Sequence, residues 1–386
     1  MRDLIEAAGV ATCLVDVGTK SDGNDADVGA DVGAAEVAAH HPGGADAVLG
    51  QDDRGQAVGA MKEALVRFVE SRDDIAGMIG AGGTGNTDLV SAALRTLPVG
   101  VPKVMVSTVG SGNVAPYVGP NDIAMVYSVT DIAGLNSISR KVLGNAAHAL
   151  AGMLAHHVPA AAGDRPAIAL SMFGVTTPCV EMVRDELEKT YDCLVFHATG
   201  VGGQSMEKLA ESGLVTGAID VTTTEVCDHI AGGVFSAGPE RFDRLAASGL
   251  PYVGSCGALD MVNFGAKETV PERYQGRNLY VHNANVTLMR TTPEECEAIG
   301  RFIGEKLNTF TGPVRFLIPE KGVSLIDAED QPFHDPAADA VLFETLRNTI
   351  QQTDNRRIVS LPLHVNDPDF AAALVDNWNE ISGADA

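Results

Sequence analysis

The glycine-rich turn after Ile79 has the residue types and spacing of an anion-binding site. An apolar stretch leads into GAGGTGN at residues 80–86, and a helix is predicted to begin near Asp88. Glycine lets the backbone approach a ligand closely, and the free amides and dipole of a helix N terminus attract negative charge. The turn matches neither a Walker A loop nor a complete dinucleotide fingerprint. It predicts an anion or nucleotide-phosphate site, with a tight packing turn as the alternative.

Two more loops are predicted at the same edge of the sheet. STVGSGN at 107–113 follows the next strand, and Val129-Thr130-Asp131 follows the one after it. Carboxyl ends of parallel strands form a crevice, in which hydroxyls and amides can hold a phosphate or carboxylate and Asp131 can recruit Mg²⁺. Asp131 has an alternative role as the N-cap of a helix predicted over 131–154. The predicted ligand-binding residues are Gly82, Gly83, Thr84, Gly85, Asn86, Ser107, Thr108, Gly110, Ser111, Gly112, Thr130 and Asp131.

Polar residues also follow several predicted strands in the C-terminal half, and they are expected to converge. His282 or Glu225 would act as an acid or base, and Arg290 or Lys321 would clamp a carboxylate or phosphate. Cys256 is a candidate nucleophile, with a small buried core residue as the alternative. The predicted catalytic residues are His282, Asp260, Glu225, Arg290 and Cys256, and no metal site is predicted.

The elements that would position these residues alternate between strand-length apolar runs and helix-period segments. Such alternation predicts a parallel sheet covered by helices. The first strand is predicted at 13–17, and the segment from Val158 to Arg165 is a linker candidate because it breaks both periods. The fold class is therefore α/β, with two Rossmann-like doubly wound domains over 1–160 and 161–386 and mainly parallel sheets.

Composition limits the classes of partner. The chain of 386 residues has 27 Lys and Arg against 51 Asp and Glu, a formal net charge of −24. This field repels phosphate backbones and anionic membranes, so neither nucleic acid nor a membrane is expected as a partner. The six cysteines show no paired spacing, and no signal peptide or membrane-spanning run is evident. A cytoplasmic protein is expected.

Long motifs in both halves resemble one family. GAGGTGNTDLVSAALRTLPVGVPKVMVSTVGSG at 80–112 and YSVTDIAGLNSISRKVLGNAAHALAGM from Tyr127 are similar to the N-terminal domain of the tomato mosaic virus resistance protein family, the Tm-one-like ATP-binding proteins. FHATGVGGQSMEKL from Phe196 and DVTTTEVCDHIAGGVFSAGPERF from Asp220 extend the resemblance into the second half.

The resemblance implies an ATP-binding protein that forms homodimers, with ATP and its Mg²⁺ in the N-terminal domain. Family members begin with a strand and a Gly-Thr-x-Asp-Thr-Lys-Gly loop before the helix that corresponds to Arg2–Ala8, and this part is expected to be missing here. Such a loss would expose a sheet edge and remove part of the crevice. The leading hypothesis is a nucleotide-binding protein acting on a small phosphorylated or carboxylate metabolite. The alternatives are a regulatory dimer that binds a protein partner, and a hydrolase or lyase that uses no nucleotide.

Overall fold

A computed structural model describes residues 1–19, 29–132, 134–159, 161 and 163–383. The chain divides into two compact units, residues 1–161 and 162–386, and each is described by itself. Both units combine helices with parallel strands, so the predicted α/β class with mainly parallel sheets is confirmed.

The N-terminal unit is built on a three-stranded parallel sheet in the order β1-β2-β3. Its strands are β1 (Met78–Gly82), β2 (Lys103–Ser107) and β3 (Ala124–Tyr127). Its helices are α1 (Arg2–Ala7), α2 (Ala34–Ala38), α3 (Asp46–Leu49), α4 (Arg54–Glu70), α5 (Thr84–Leu94), α6 (Ala115–Val118) and α7 (Ser137–Ala155).

Strand β2 shows how this sheet is covered on both faces. Alternate residues of a strand point to opposite sides. Met105 packs into a cluster with α4 and α5, whereas Val104 and Val106 pack with α1 and α7. A strand that is apolar on both sides therefore places helices above and below the sheet, as in a doubly wound fold.

The prediction of a strand at residues 13–17 is wrong. Val15 makes one isolated parallel bridge, with Val32, and the segment does not join the β1-β2-β3 sheet. The backbone bonds of this stretch go to residues 31 and 32, with Asp16 N–H donating to Val32 O at 2.9 Å. Because the pairing is limited to this bridge, the apolar run forms no strand.

The C-terminal unit contains a six-stranded parallel sheet in the order β12-β11-β7-β6-β4-β5. The strands of the unit are β4 (Ala167–Met172), β5 (Asp192–His197), β6 (Ala218–Thr222), β7 (Tyr252–Gly257), β8 (Met261–Phe264), β9 (Leu279–Asn283), β10 (Val286–Arg290), β11 (Val314–Pro319) and β12 (Arg356–Leu361). The helices are α8 (Thr177–Leu187), α9 (Val201–Glu211), α10 (Glu225–Ala231), α11 (Asp243–Ser248), α12 (Pro293–Leu307), α13 (Pro336–Thr349) and α14 (Pro368–Ser382), with 3-10 turns at Lys267–Thr269 and Glu272–Tyr274. Strand order reverses between β4 and β6, which is the place where doubly wound folds bind ligands.

A second, antiparallel sheet in the order β8-β10-β9 is the element that the sequence reasoning misses. Its residues Met261 and Leu288 pack with Phe173, Val175 and other apolar side chains that follow strands of the parallel sheet. Phe173 and Val175 come directly after β4, beside the reversal of strand order. Apolar packing therefore occupies the neighbourhood in which the second site was expected.

Candidate functional site

The N-terminal unit has a polar cavity at the carboxyl ends of its strands. Its volume is about 440 Å³, and its walls come from the segments that follow β1, β2 and β3. The lining residues are Gly83, Thr84, Thr108, Tyr127, Ser128, Val129, Thr130 and Asp131. The structure therefore brings together Gly83, Thr84, Thr108, Thr130 and Asp131 of the predicted ligand-binding set.

Helix α5 begins at this cavity with its amides uncapped. Gly83 is the N-cap residue, and no side chain among the described residues accepts a hydrogen bond from this helix end. The first N–H groups of a helix have no partner inside the helix, and their positive end attracts anions. A Cβ atom added to Gly83 would meet only Thr108 Oγ1, at 3.8 Å, so glycine leaves open space between the two.

Two buried hydroxyl groups join α5 to the end of β2. Thr87 Oγ1 and Ser107 Oγ lie 2.7 Å apart, and Thr87 Oγ1 also donates to Gly83 O at 2.9 Å. Val109 N–H donates to Ser107 Oγ at 3.1 Å. These bonds hold the two glycine-containing loops in a fixed relation beside the cavity.

Asp131 does not cap a helix. Helix α7 begins at Ser137 rather than near residue 131, and Asn136 is its N-cap, accepting from Ile138 N–H and Ser139 N–H in a capping box. The helix predicted over 131–154 is present as α7, but its predicted start is wrong, and so is the N-cap alternative for Asp131, because the capping residue lies five positions further along the chain. Asp131 is exposed at the cavity, where its Oδ1 accepts the N–H of Ile132 at 2.8 Å.

The other predicted ligand-binding residues do not line the cavity. Gly82 and Gly110 serve close packing, because a Cβ atom would lie 2.3 Å from Asn86 Cβ at the first position and 2.9 Å from Tyr127 Cα at the second. Ser107 is buried, with its hydroxyl against that of Thr87. The remaining four, Gly85, Asn86, Ser111 and Gly112, are exposed. Tyr127, Ser128 and Val129 also line the cavity, although none of the three is among the predicted ligand-binding residues. Their one signal in the sequence is their position at the end of an apolar strand run, next to Thr130.

In the C-terminal unit, Glu225 is part of a buried ion cluster around Arg241. Arg241 donates to Glu225 at 2.9 Å, to Glu207 at 3.0 Å and to Asp220 at 2.7 Å. The other oxygen of Glu225 accepts from Gly200 N–H and Gly203 N–H, so this carboxylate occupies the N terminus of α9. Burial raises the pKa of Glu225, although Arg241 opposes the rise. Both carboxylate oxygens of Glu225 therefore accept hydrogen bonds from within the protein.

Asp260 and Arg290 belong to a different buried cluster. Arg290 donates to Asp339 at 2.6 Å and to the carbonyl oxygen of Phe333 at 2.7 Å, while Ser324 donates to Asp260 at 2.7 Å. Burial raises the pKa of Asp260 to about 6, although Arg290 opposes the rise. No group of three His, Cys, Asp or Glu side chains in the described part of the chain is arranged to hold a metal ion.

Cys256 and His282 lie in still other environments. Cys256 is fully buried in β7 among apolar side chains, and burial raises the pKa of its thiol far above the ordinary value, which disfavours the nucleophilic thiolate. His282 is exposed on β9 of the antiparallel sheet. Lys321, the alternative clamp, is also exposed. The five predicted catalytic residues thus divide among two ion clusters, the apolar core and an exposed strand, which is a correction to the expected convergence.

The fold and the cavity define a two-unit α/β protein with a polar cleft at the strand ends of its N-terminal sheet. Residues 1–159 match the N-terminal domain of the Uncharacterised protein family (UPF0261), and residues 165–382 match the C-terminal domain of that family. The chain therefore belongs to the UPF0261 family. None of the described helices is long and apolar enough to cross a membrane.

Curated relatives agree with this assignment. The chain is 59% identical over 374 residues to a UPF0261 protein of Mesorhizobium japonicum, covering 97% of this chain and 93% of the relative. It is 46% identical over 378 residues to a UPF0261 protein of Clostridium tetani, covering 97% and 93%. The ToMV resistance protein Tm-1 of Solanum lycopersicum is 45% identical over 340 residues, which cover 86% of this chain and 45% of the tomato protein. The resemblance to the tomato family is confirmed.

Proposed function

We propose that this chain is an ATP-type nucleotide-binding protein whose ligand phosphates bind in the cavity of the N-terminal unit. The observation that carries the proposal is the meeting, at one cavity, of the uncapped N terminus of α5 with hydroxyl groups and a carboxylate. Backbone amides at a helix N terminus are a common phosphate site in α/β folds. The cavity volume of about 440 Å³ also lies in the usual range for small-molecule sites.

The residues present fit a phosphate group accompanied by a cation. Gly83 leaves room for close approach to the α5 amides, and Thr84 and Thr108 supply hydroxyl donors. The described cavity lining contains no lysine or arginine, so a polyphosphate would bring uncompensated charge. Asp131 would hold Mg²⁺, which supplies charge neutralisation and prefers carboxylate and water ligands.

A regulatory role is the second candidate, and one observation favours it. The groups expected to be catalytic in the C-terminal unit are engaged in ion clusters or buried, as Glu225 and Asp260 are. In this version of the proposal, nucleotide binding controls a homodimer that docks a protein partner. The enzyme version instead requires turnover of a small phosphorylated or carboxylate metabolite, and turnover with any such compound excludes a purely regulatory role.

Calorimetric titration of ATP with Mg²⁺ into the chain and into Gly83→Val tests the site. Gly83 has φ −77° and ψ −170°, which valine adopts without strain, and its side chain would enter the cavity beside Thr108. We expect saturable binding to the unsubstituted chain and a loss of at least ~10-fold in affinity for the variant.

Gly33→Val is a matched control. Gly33 is also an extended N-cap glycine, with φ −79° and ψ 159° and nothing within 4 Å of an added Cβ atom, but it precedes α2, away from the cavity lining. The ATP affinity of Gly33→Val should equal that of the unsubstituted chain. If the unsubstituted chain shows no binding to ATP, the proposed function is wrong, and if Gly83→Val binds normally, the nucleotide lies elsewhere.

A further inference from the structure

Ser128, Val129 and Thr130 form a tight turn in the cavity wall. Val129 has φ 65°, and Thr130 N–H donates across it to Ser128 O at 2.7 Å. Positive φ is unfavourable for a β-branched residue. Val129 is 56% exposed, so burial of apolar surface does not offset the strain.

Neighbouring hydrogen bonds fix this turn from both ends. Ser128 N–H donates to Ser107 O at 3.0 Å, which continues the pairing of β2 with β3. Ser128 Oγ donates to Thr130 O at 2.7 Å. The surroundings therefore hold the strained conformation, as is typical of strain at functional sites.

Thr130, next to the strained Val129, has a side-chain hydroxyl without a hydrogen-bond partner in the described part of the chain. Thr130 lines the cavity, yet its Oγ1 is buried without a hydrogen-bond partner in the described part of the chain. A hydroxyl group removed from water without a partner is unfavourable. Strain and an unpartnered donor thus occur in adjacent residues at the wall of one cavity.

We propose that this turn is the ligand-responsive element of the cavity: when an anionic ligand binds, the turn opens, and the N–H and hydroxyl of Thr130 donate to ligand oxygens. This inference rests on the proposed nucleotide function. Opening relieves the positive φ of Val129 and gives the hydroxyl its partner. The strain at Val129 and the unpartnered hydroxyl of Thr130 both destabilise the unliganded chain. A substitution that removes either one therefore stabilises that chain and weakens ligand binding.

Two substitutions, each made in the whole chain, test whether stability without ligand and affinity for ligand change in opposite directions. Thr130→Val removes the hydroxyl and keeps the shape, and Val129→Asn introduces a residue that tolerates positive φ. For each we expect the melting temperature without ligand to rise by about 2–4 °C. The affinity for ATP with Mg²⁺, and for inorganic tripolyphosphate as a probe, should fall ~10-fold. Thr130→Ser retains the hydroxyl and should restore the affinity.

Matched controls are Thr309→Val and Val158→Asn, in exposed residues outside the cavity lining. Neither should raise the melting temperature or weaken binding. A lower melting temperature together with weaker binding in both test variants would show a merely structural turn and overturn the inference. Unchanged affinity in both variants, with normal binding by the unsubstituted chain, would overturn it while leaving the proposed function intact. Absence of binding by the unsubstituted chain would overturn both.

Discussion

The hydroxyl groups of Thr87 and Ser107 lie 2.7 Å apart, and both residues are fully buried. One belongs to the first turn of α5, and the other ends β2. This bond joins the helix whose N terminus faces the cavity to the strand whose following loop supplies Thr108. The position of the α5 amides relative to the cavity therefore depends on two side chains that do not line it.

Ser107→Ala should reduce both stability and ligand affinity. The substitution leaves Thr87 without this partner and removes the acceptor of the Val109 N–H. We expect a loss of about 1–3 kcal/mol in the free energy of unfolding, measured by urea denaturation, and weaker binding of ATP by calorimetry.

Ser91→Ala is the control for this change because Ser91 lies in the same helix and is fully buried, but its Oγ has no partner among the described residues. Removing an unpartnered hydroxyl should be neutral or slightly stabilising. Equal losses for the two alanine variants would contradict the role given to the Thr87–Ser107 bond.

The sequence predicts the parallel sheets because most of their strands are apolar runs, and β1, β2, β6 and β7 end in glycine, serine or threonine. The position of Asp131 in the loop that follows β3 also follows from the pattern. The start of α7 does not, because the choice between Asp131 and Asn136 as N-cap depends on the path of the intervening loop. Both residue types are good caps, and only the structure shows that Ser139 completes the capping box with Asn136.

Arg241→Met should be strongly destabilising. Arg241 is the cation that pairs with Glu207, Asp220 and Glu225 in the described cluster, and all four side chains are buried. Its loss would leave buried carboxylates without their partner, which typically costs about 3–5 kcal/mol. The measurement is the free energy of unfolding by chemical denaturation.

Arg244→Met is the comparison for Arg241→Met. Arg244 lies three residues further on and pairs with Glu211 at 3.4 Å, but its side chain is 41% exposed. A surface ion pair contributes little, so the change should stay within ~1 kcal/mol. A similar loss for both arginines would refute the assignment of the Arg241 cluster as a structural anchor.

Neither ion cluster in the C-terminal unit could be predicted from sequence. Glu207, Asp220, Glu225 and Arg241 belong to different elements, and nothing in the spacing indicates that one guanidinium serves three carboxylates. Polar residues at strand ends suggested a reaction centre because that is where ligands bind in doubly wound folds. Here Glu225 instead accepts the Gly200 and Gly203 amides and replaces an external anion at α9.

Asp327→Asn should remove a pH-dependent loss of stability. Burial, together with the charges of Asp260 and Asp339, raises the pKa of Asp327 to about 9. A group with a raised pKa in the folded state stabilises the fold below its unfolded pKa, near 4, and loses this contribution as the pH rises through the folded value. The neutral asparagine mimics the protonated acid and does not acquire a buried charge.

Melting temperatures measured from pH 6 to pH 10 check this expectation. The unsubstituted chain should lose stability relative to Asp327→Asn as the pH rises from 6 to about 9, so the difference between the two curves should widen over this range and level off above it. Asp330→Asn changes an exposed aspartate nearby and should give a curve parallel to that of the unsubstituted chain. Parallel curves for Asp327→Asn as well would count against a buried, protonated Asp327.

Cys256 should be inert toward alkylation in the folded protein. Its thiol is buried, and burial raises its pKa, whereas Cys13 is exposed. Because the thiolate is the reactive form, iodoacetamide at pH 8 should modify Cys13 and leave Cys256 unmodified, as read by peptide mass spectrometry. Rapid modification of Cys256 without unfolding would restore it as a candidate nucleophile.

The substitution Asp131→Asn tests whether Asp131 is a magnesium ligand or an ordinary loop residue. Asparagine retains the oxygen that accepts the Ile132 N–H, so the loop geometry should persist while the negative charge is lost. If Asp131 holds the cation, ATP affinity in Mg²⁺ should fall ~10-fold. In EDTA, the ATP affinity of the variant should equal or exceed that of the unsubstituted chain, because the variant no longer repels phosphate. Asp73→Asn, at an exposed aspartate that does not line the cavity, should change neither affinity. The same loss with and without Mg²⁺ would indicate that Asp131 acts on the loop rather than on the ion.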